Sequence, residues 1–199
     1  MRCVNAVAVV CTFGLLLSAA PARADGFVSP TVGVNFGGNA GTTLRGAVDN
    51  SQRLNVGAAV GWMSAGVFGL EEDFSWAPNF FGSGGVAIDK TRVLTLMTNV
   101  IAGVPVGGQS GVGIRPYVSV GVGLLNQHVS TPTGVGEFSQ NAFGFDAGAG
   151  VMGYFADHIG LRGDVRYFRS FQDTESNIIG LEPGQFSFYR ASLGVLFRF

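Results

Sequence analysis

The sequence predicts an all-β fold: eight antiparallel strands closed in up-and-down order into a transmembrane barrel, preceded by a cleavable export signal. Three observations predict it. Apolar and polar residues alternate with period 2 through most of the chain after Asp25, which is how strands read when one face meets lipid and the other a polar interior. Hydrophobic residues make up 47% of the chain, yet beyond the first segment no run approaches the ~18 apolar residues of a spanning helix. The final segment alternates to its last residue. It puts Tyr189, Ala191, Leu193, Val195, Phe197 and Phe199 on one side, and Arg190, Ser192, Gly194, Leu196 and Arg198 on the other.

Residues 1–24 read as a secretory signal peptide. Arg2 gives a positive start, Val7 to Leu17 an apolar run, and Ala22-Arg23-Ala24 the small-x-small pattern cut by signal peptidase before Asp25. Both cysteines, Cys3 and Cys11, lie in that segment, so the predicted mature chain has no disulfide and no thiolate nucleophile or ligand. Removing Arg2 and Arg23 with the leader takes the net charge from −1 to −3. No basic footprint remains, and nucleic acid is excluded as a partner. What is left, residues 25–199, is the length of one domain.

The strands are expected near residues 27–37, 52–63, 67–77, 90–104, 114–127, 142–155, 159–171 and 185–199. The long connections between them are rich in Gly, Asn, Ser, Thr and Pro, the residues that turns require. Connections after the first, third, fifth and seventh strands are long. Those after the second (Ser64-Ala65-Gly66) and sixth (Ala156-Asp157-His158) are tight, and the fourth, Pro105 to Gly113, is intermediate. Tight turns at one end and long loops at the other is the wiring of outer-membrane barrels, with the tight end in the periplasm.

One parity carries Val32, Val34 and Phe36; Leu54, Val56, Val60 and Trp62; Phe68, Leu70, Phe74 and Trp76; Leu94, Leu96 and Val100. It continues through Val118, Val120, Val122 and Leu124, then Phe143, Phe145 and Val151, then Ile159, Leu161, Val165 and Tyr167. The other carries glycines (Gly33, Gly57, Gly121, Gly123, Gly148, Gly150, Gly194), asparagines and the charges. With no helix predicted to cover the apolar face, lipid must cover it. Hydrocarbon leaves no unpaired sheet edge, so the first and last strands must pair. Aromatic girdles are expected at Phe36, Trp76, Phe143, Tyr167 and Tyr189 on the outer side, and at Trp62, Phe155, Phe197 and Phe199 on the periplasmic side. Glu72 breaks the pattern. It falls on the lipid parity between Leu70 and Phe74, so either a bulge shifts the register or the carboxyl faces a partner.

The interior charges are the candidate functional residues: Glu71, Asp73, Arg115, Asp146, Arg162, Asp164, Arg166 and Arg190. Buried charges must pair, so these are expected to form a network that plugs the lumen or, in the alternative, gates a narrow path for small solutes. An eight-stranded barrel holds its own side chains and leaves no open pore. Other motifs carry little. Gly148-Ala149-Gly150-Val151-Met152-Gly153 has the spacing of a dinucleotide loop but lies inside a strand with no helix after it. Only His128 and His158 are available for acid–base chemistry, and two separated histidines make no metal site. No catalytic residue, cofactor or metal is predicted.

Three segments carry a family resemblance: Arg115-Pro116-Tyr117-Val118-Ser119-Val120-Gly121-Val122-Gly123, Gly160-Leu161-Arg162-Gly163-Asp164-Val165-Arg166-Tyr167, and the ending Gly194-Val195-Leu196-Phe197-Arg198-Phe199. With them the chain resembles the bacterial outer-membrane protein β-barrel family, the OmpA-like transmembrane domain and its small porin-family relatives. The resemblance implies residence in the outer membrane among its lipid and lipopolysaccharide. It also implies that the barrel-assembly machinery reads the C-terminal strand through Phe199. The role it implies is structural or surface-interacting, with the loops as the contact surface and their partner unspecified. His128-Val129-Ser130 resembles the His-x-Ser of outer-membrane lipid A deacylases, which makes a lipid A-modifying enzyme the third and most distant reading.

Overall fold

A computed structural model describes residues 25–39, 53–64, 67–78, 90–107, 112–130, 137–173 and 185–199. Its strands are β1 (Asp25–Asn39), β2 (Arg53–Met63), β3 (Phe68–Pro78), β4 (Lys90–Gly103), β5 (Gly113–Ser130), β6 (Glu137–Tyr154), β7 (Ile159–Asp173) and β8 (Gln185–Arg198). Each pairs antiparallel with its sequence neighbour, and β8 returns to β1, so the sheet is a closed eight-stranded barrel.

Closure leaves no free edge. The β1–β8 ladder runs from Phe27↔Arg198 to Asn39↔Ser187, shifting once between Phe36 and Gly38, where Gly37 has φ +56°. A residue without Cβ takes that left-handed conformation at no steric cost. At the end with the tight turns Phe199 and Gly26 exchange two backbone hydrogen bonds, each 3.0 Å. The Phe199 ring lies over Gly26, where a Cβ would come within 2.5 Å of it.

The alternation sorts side chains cleanly. Val32, Leu54, Phe74, Val100, Val120, Val151, Leu161 and Leu193 are exposed on the outside, while the opposite parity is buried in the lumen. Around the outer end rings meet in a chain across β1, β8, β7 and β6. Phe36–Tyr189 centroids are 5.8 Å apart, Tyr189–Tyr167 5.0 Å, Tyr167–Phe145 6.3 Å, Phe145–Phe171 5.5 Å and Phe171–Phe143 6.2 Å.

Two strands outrun the apolar alternation. β5 continues to Ser130 and β6 begins at Glu137, so residues 128–130 and 137–141, expected in a loop, lie in the ladder. The register there is Asn126↔Asn141, Gln127↔Gln140 and His128↔Ser139, and Asn126 Nδ2 donates to Asn141 Oδ1 at 2.6 Å. Period 2 fades from the sequence there although the backbone pairing continues. At the other end Val106, beyond β4, forms one more antiparallel bridge with Ile114 of β5, which orders part of the intermediate connection.

No bulge occurs at Glu72. β3 runs in unbroken register with β2 (Val60↔Glu72) and β4 (Glu72↔Thr98). Glu72 therefore faces outward, and its Oε1 accepts from the Thr98 hydroxyl at 2.8 Å.

Candidate functional site

The lumen is filled in layers. Toward the end with the tight turns lies an apolar floor of Phe27, Ala59, Met63, Ile101, Tyr117, Met152, Tyr154 and Leu196. Toward the outer end lies an apolar lid of Val93, Met97, Leu125, Ala142, Phe168, Phe186 and Phe188. Phe168 and Phe188 stack there with centroids 4.8 Å apart. Between floor and lid sit the charges.

β7 supplies the cations. In a strand every second side chain shares a face, so Arg162, Asp164 and Arg166 all point inward and all are buried. On β3, opposite β7 in the ring of eight, Glu71 and Asp73 point inward by the same rule. The Glu71 carboxylate spans the lumen and takes both arginines: Oε2 accepts from Arg162 Nη1, and Oε1 from Arg166 Nη2 at 2.5 Å. Asp164 accepts from Arg162 Nε at 2.9 Å, the Tyr117 hydroxyl at 2.9 Å and Ser192 at 2.8 Å. Arg166 also pairs with Asp146 at 3.3 Å. In the amide orientation that satisfies its neighbours, Asn99 donates to Asp146 Oδ1 at 2.6 Å and accepts from Arg166 Nη1 at 2.9 Å.

A second centre lies beside it. Arg190 of β8 pairs with Asp73 at 2.6 Å, and its guanidinium carbon lies 4.7 Å from the Phe168 ring centroid, which ties the charges to the lid. The floor is tied in the same way, since Arg162 lies over Tyr117 at 5.1 Å and over Phe27 at 5.9 Å.

Glycines make this crowding possible. Gly150 lies between Tyr117 and Asp164 in the ladder. A Cβ there would come 2.6 Å from the Tyr117 hydroxyl and 2.7 Å from Asp164 Cβ. At Gly148 a Cβ would meet Arg166 Cγ at 2.6 Å. A side chain at either glycine would displace the groups that hold the ion pairs.

Seven of the eight sequence-predicted charges are thus in ion-pair contact, and Arg115 is not. It is buried at 3% exposure with Nε and Nη1 lacking partners. Met152 stands between it and Arg162 in the ladder, and Tyr117, two residues on, takes up Asp164 first. The polar parity also holds much that its charges and glycines obscured, namely Phe27, Met63, Met97, Ile101, Leu125, Met152, Phe168, Phe186, Phe188 and Leu196. The signal was present in the sequence as large apolar residues on the inward parity near both strand ends. Ser130 and His128 belong to the β5 backbone, and their side chains lie outside the described residues.

No curated protein matches the chain. Among solved structures it is similar to Neisserial surface protein A (NspA), with TM-score 0.63 and 13% identity over 88% of this chain and 99% of that one. It is similar to the outer membrane protein OprG from Pseudomonas aeruginosa, with TM-score 0.62 and 13% identity over 89% of this chain and 96% of that one. It is also similar to Ail, the attachment invasion locus protein of Yersinia pestis, with TM-score 0.56 and 12% identity over 89% of this chain and 99% of that one. At these identities the likeness carries the fold alone. The sequence itself matches the outer membrane protein beta-barrel domain over residues 9–199, nearly its whole length, and the chain belongs to that family.

Proposed function

We propose that this is a bacterial outer-membrane barrel with a charge-plugged, sealed lumen, and that it serves a structural or surface-interaction role in the cell envelope. The observation that carries this reading is the layered interior: an ion-pair layer between two apolar layers. Buried pairs with this many partners are costly to break, and an apolar constriction excludes water and ions. A barrel so filled is a rigid mount, and the long connections at its outer end are the surface it presents. Ail, which shares the fold, is an attachment protein solved with the heparin analogue sucrose octasulfate, a precedent for surface binding by so small a barrel.

The accompanying expectations belong to the same proposal. Residues 1–24 direct export and are cleaved after Ala24. Lipid and lipopolysaccharide surround the aromatic outer band, and the assembly machinery reads the C-terminal strand at Phe199. The test is small-solute flux and single-channel conductance of the refolded protein in liposomes, with folding checked by a heat-shifted gel band. A folded, silent barrel is expected. Sustained conductance altered by Arg162→Ala or Glu71→Ala would replace this reading with a gated channel.

A further inference from the structure

Glu72 and Thr98 are the polar side chains of the outward face between the two aromatic girdles, and Glu72 is the ionisable one among the described residues there. On β3 the outward row is Phe68, Leu70, Glu72, Phe74, Trp76, with both end aromatics exposed. Glu72 is the fourth residue from each of them. At ~3.3 Å per residue and the usual strand tilt, that is about 10 Å of membrane depth from either girdle. A glutamate stem cannot snorkel that far, so the carboxyl sits near the middle of the hydrocarbon.

Its surroundings offer one hydrogen bond, from Thr98 to Oε1. Across the ladder Glu72 meets Val60 on the other side, and Leu70 and Phe74 flank it along the strand. Among the described residues Oε2 has no hydrogen-bond partner. Lipid cannot supply one, because at that depth it offers only acyl chains.

We propose that the β2–β3–β4 outer face, centred on Glu72 and Thr98, is the contact surface for a second copy of this chain. Two copies inserted in the same sense are related by a two-fold axis along the membrane normal. Such an axis sets every residue at the same depth as its counterpart, so the polar pair of one copy meets that of the other at the midplane. The chemistry is self-complementary. A neutral carboxyl is both donor and acceptor and a threonine hydroxyl likewise, so the four groups satisfy one another in an isologous contact. An unrelated membrane protein would have to match both depth and donor pattern by separate design. The inference is independent of what the lumen does.

The experiment is sedimentation equilibrium of the refolded mature protein in density-matched micelles, together with disulfide cross-linking in liposomes of single-cysteine variants of residues 25–199, which contain no other cysteine. The wild type is expected to dimerise. Glu72→Leu should weaken the dimer about tenfold, the worth of a good interhelical-type hydrogen bond in a membrane, and Thr98→Val should weaken it in the same direction. Both variants should keep the heat-shifted folded band. Val60→Cys, beside Glu72, should give cross-linked dimers, whereas Val165→Cys, on β7 across the barrel, should not. A wild type that stays monomeric, a dimer unaffected by Glu72→Leu and Thr98→Val, or equal cross-linking at Val60 and Val165 would overturn the proposal. So would cross-linking of Val60→Cys to a different protein in native membranes in place of a second copy.

Discussion

Glu71 and Arg166 meet across the full width of the barrel, from β3 to the strand that lies four places away in either direction around the ring. A sheet is held by bonds between neighbours, whereas this ion pair joins opposite walls directly. With Arg162 on the other carboxylate oxygen, Glu71 acts as a strut that fixes the cross-section.

Glu71→Gln leaves two guanidinium groups buried against a neutral amide. Removing one partner of a buried charge pair costs about 3–5 kcal/mol. Urea unfolding of the refolded variant in micelles should fall by that order, with the folded band melting earlier in the gel. A loss below ~1 kcal/mol would mean that water reaches the site and screens it.

The Arg190–Asp73 pair is more self-contained. Asp73→Leu and Arg190→Met should each cost about 3–5 kcal/mol, and the double variant clearly less than their sum, because neither charge is then orphaned. A double-mutant cycle in the same unfolding assay measures the difference. Additive losses would count against a direct pair.

Gly150→Ala is expected to cost about 1–3 kcal/mol by driving the Tyr117 hydroxyl off Asp164. In a Tyr117→Phe background the same change should cost less, since the hydroxyl nearest the new methyl is gone. An undiminished cost would assign the clash to the Gly163 carbonyl oxygen and Asp164 Cβ and not to the phenol.

Each lumen layer should suffice to keep the barrel silent. Glu71→Ala alone leaves floor and lid in place, and Phe168→Ala with Phe188→Ala leaves the ion pairs and floor in place. Conductance is expected only when lid, charges and floor are breached together, for instance by adding Ile101→Ala and Met152→Ala to those changes.

Deleting Phe199 removes two backbone hydrogen bonds that close β8 on β1 at Gly26. The yield of heat-shifted barrel should drop in refolding from urea, where no assembly machinery is present. Gly26→Leu, which keeps Phe199 but evicts its ring, should lower the yield in the same way. If only cellular assembly suffers, Phe199 acts as a recognition signal and not as a closure.

The sequence by itself determined the eight strands, their antiparallel order, closure and the face each residue takes. All of these follow from period 2 and from the rule that hydrocarbon tolerates no unpaired backbone. It also marked the residues of the charge layer, because Arg162, Asp164 and Arg166 share a parity that no lipid would accept. Partner choice was decided by the closed barrel. Which arginine Glu71 takes, and why Arg115 takes none, depends on side chains meeting across the lumen from strands far apart in the chain, and alternation is blind to that distance. The apolar floor and lid were hidden for the same reason: Phe27 and Leu196, or Phe168 and Phe188, join one cluster only when curvature brings their faces together. Glu72 is the sharpest case. Period 2 put it on the lipid face, and unbroken register on both sides kept it there, because shifting one residue to hide it would have turned every neighbour on β3 to the wrong side.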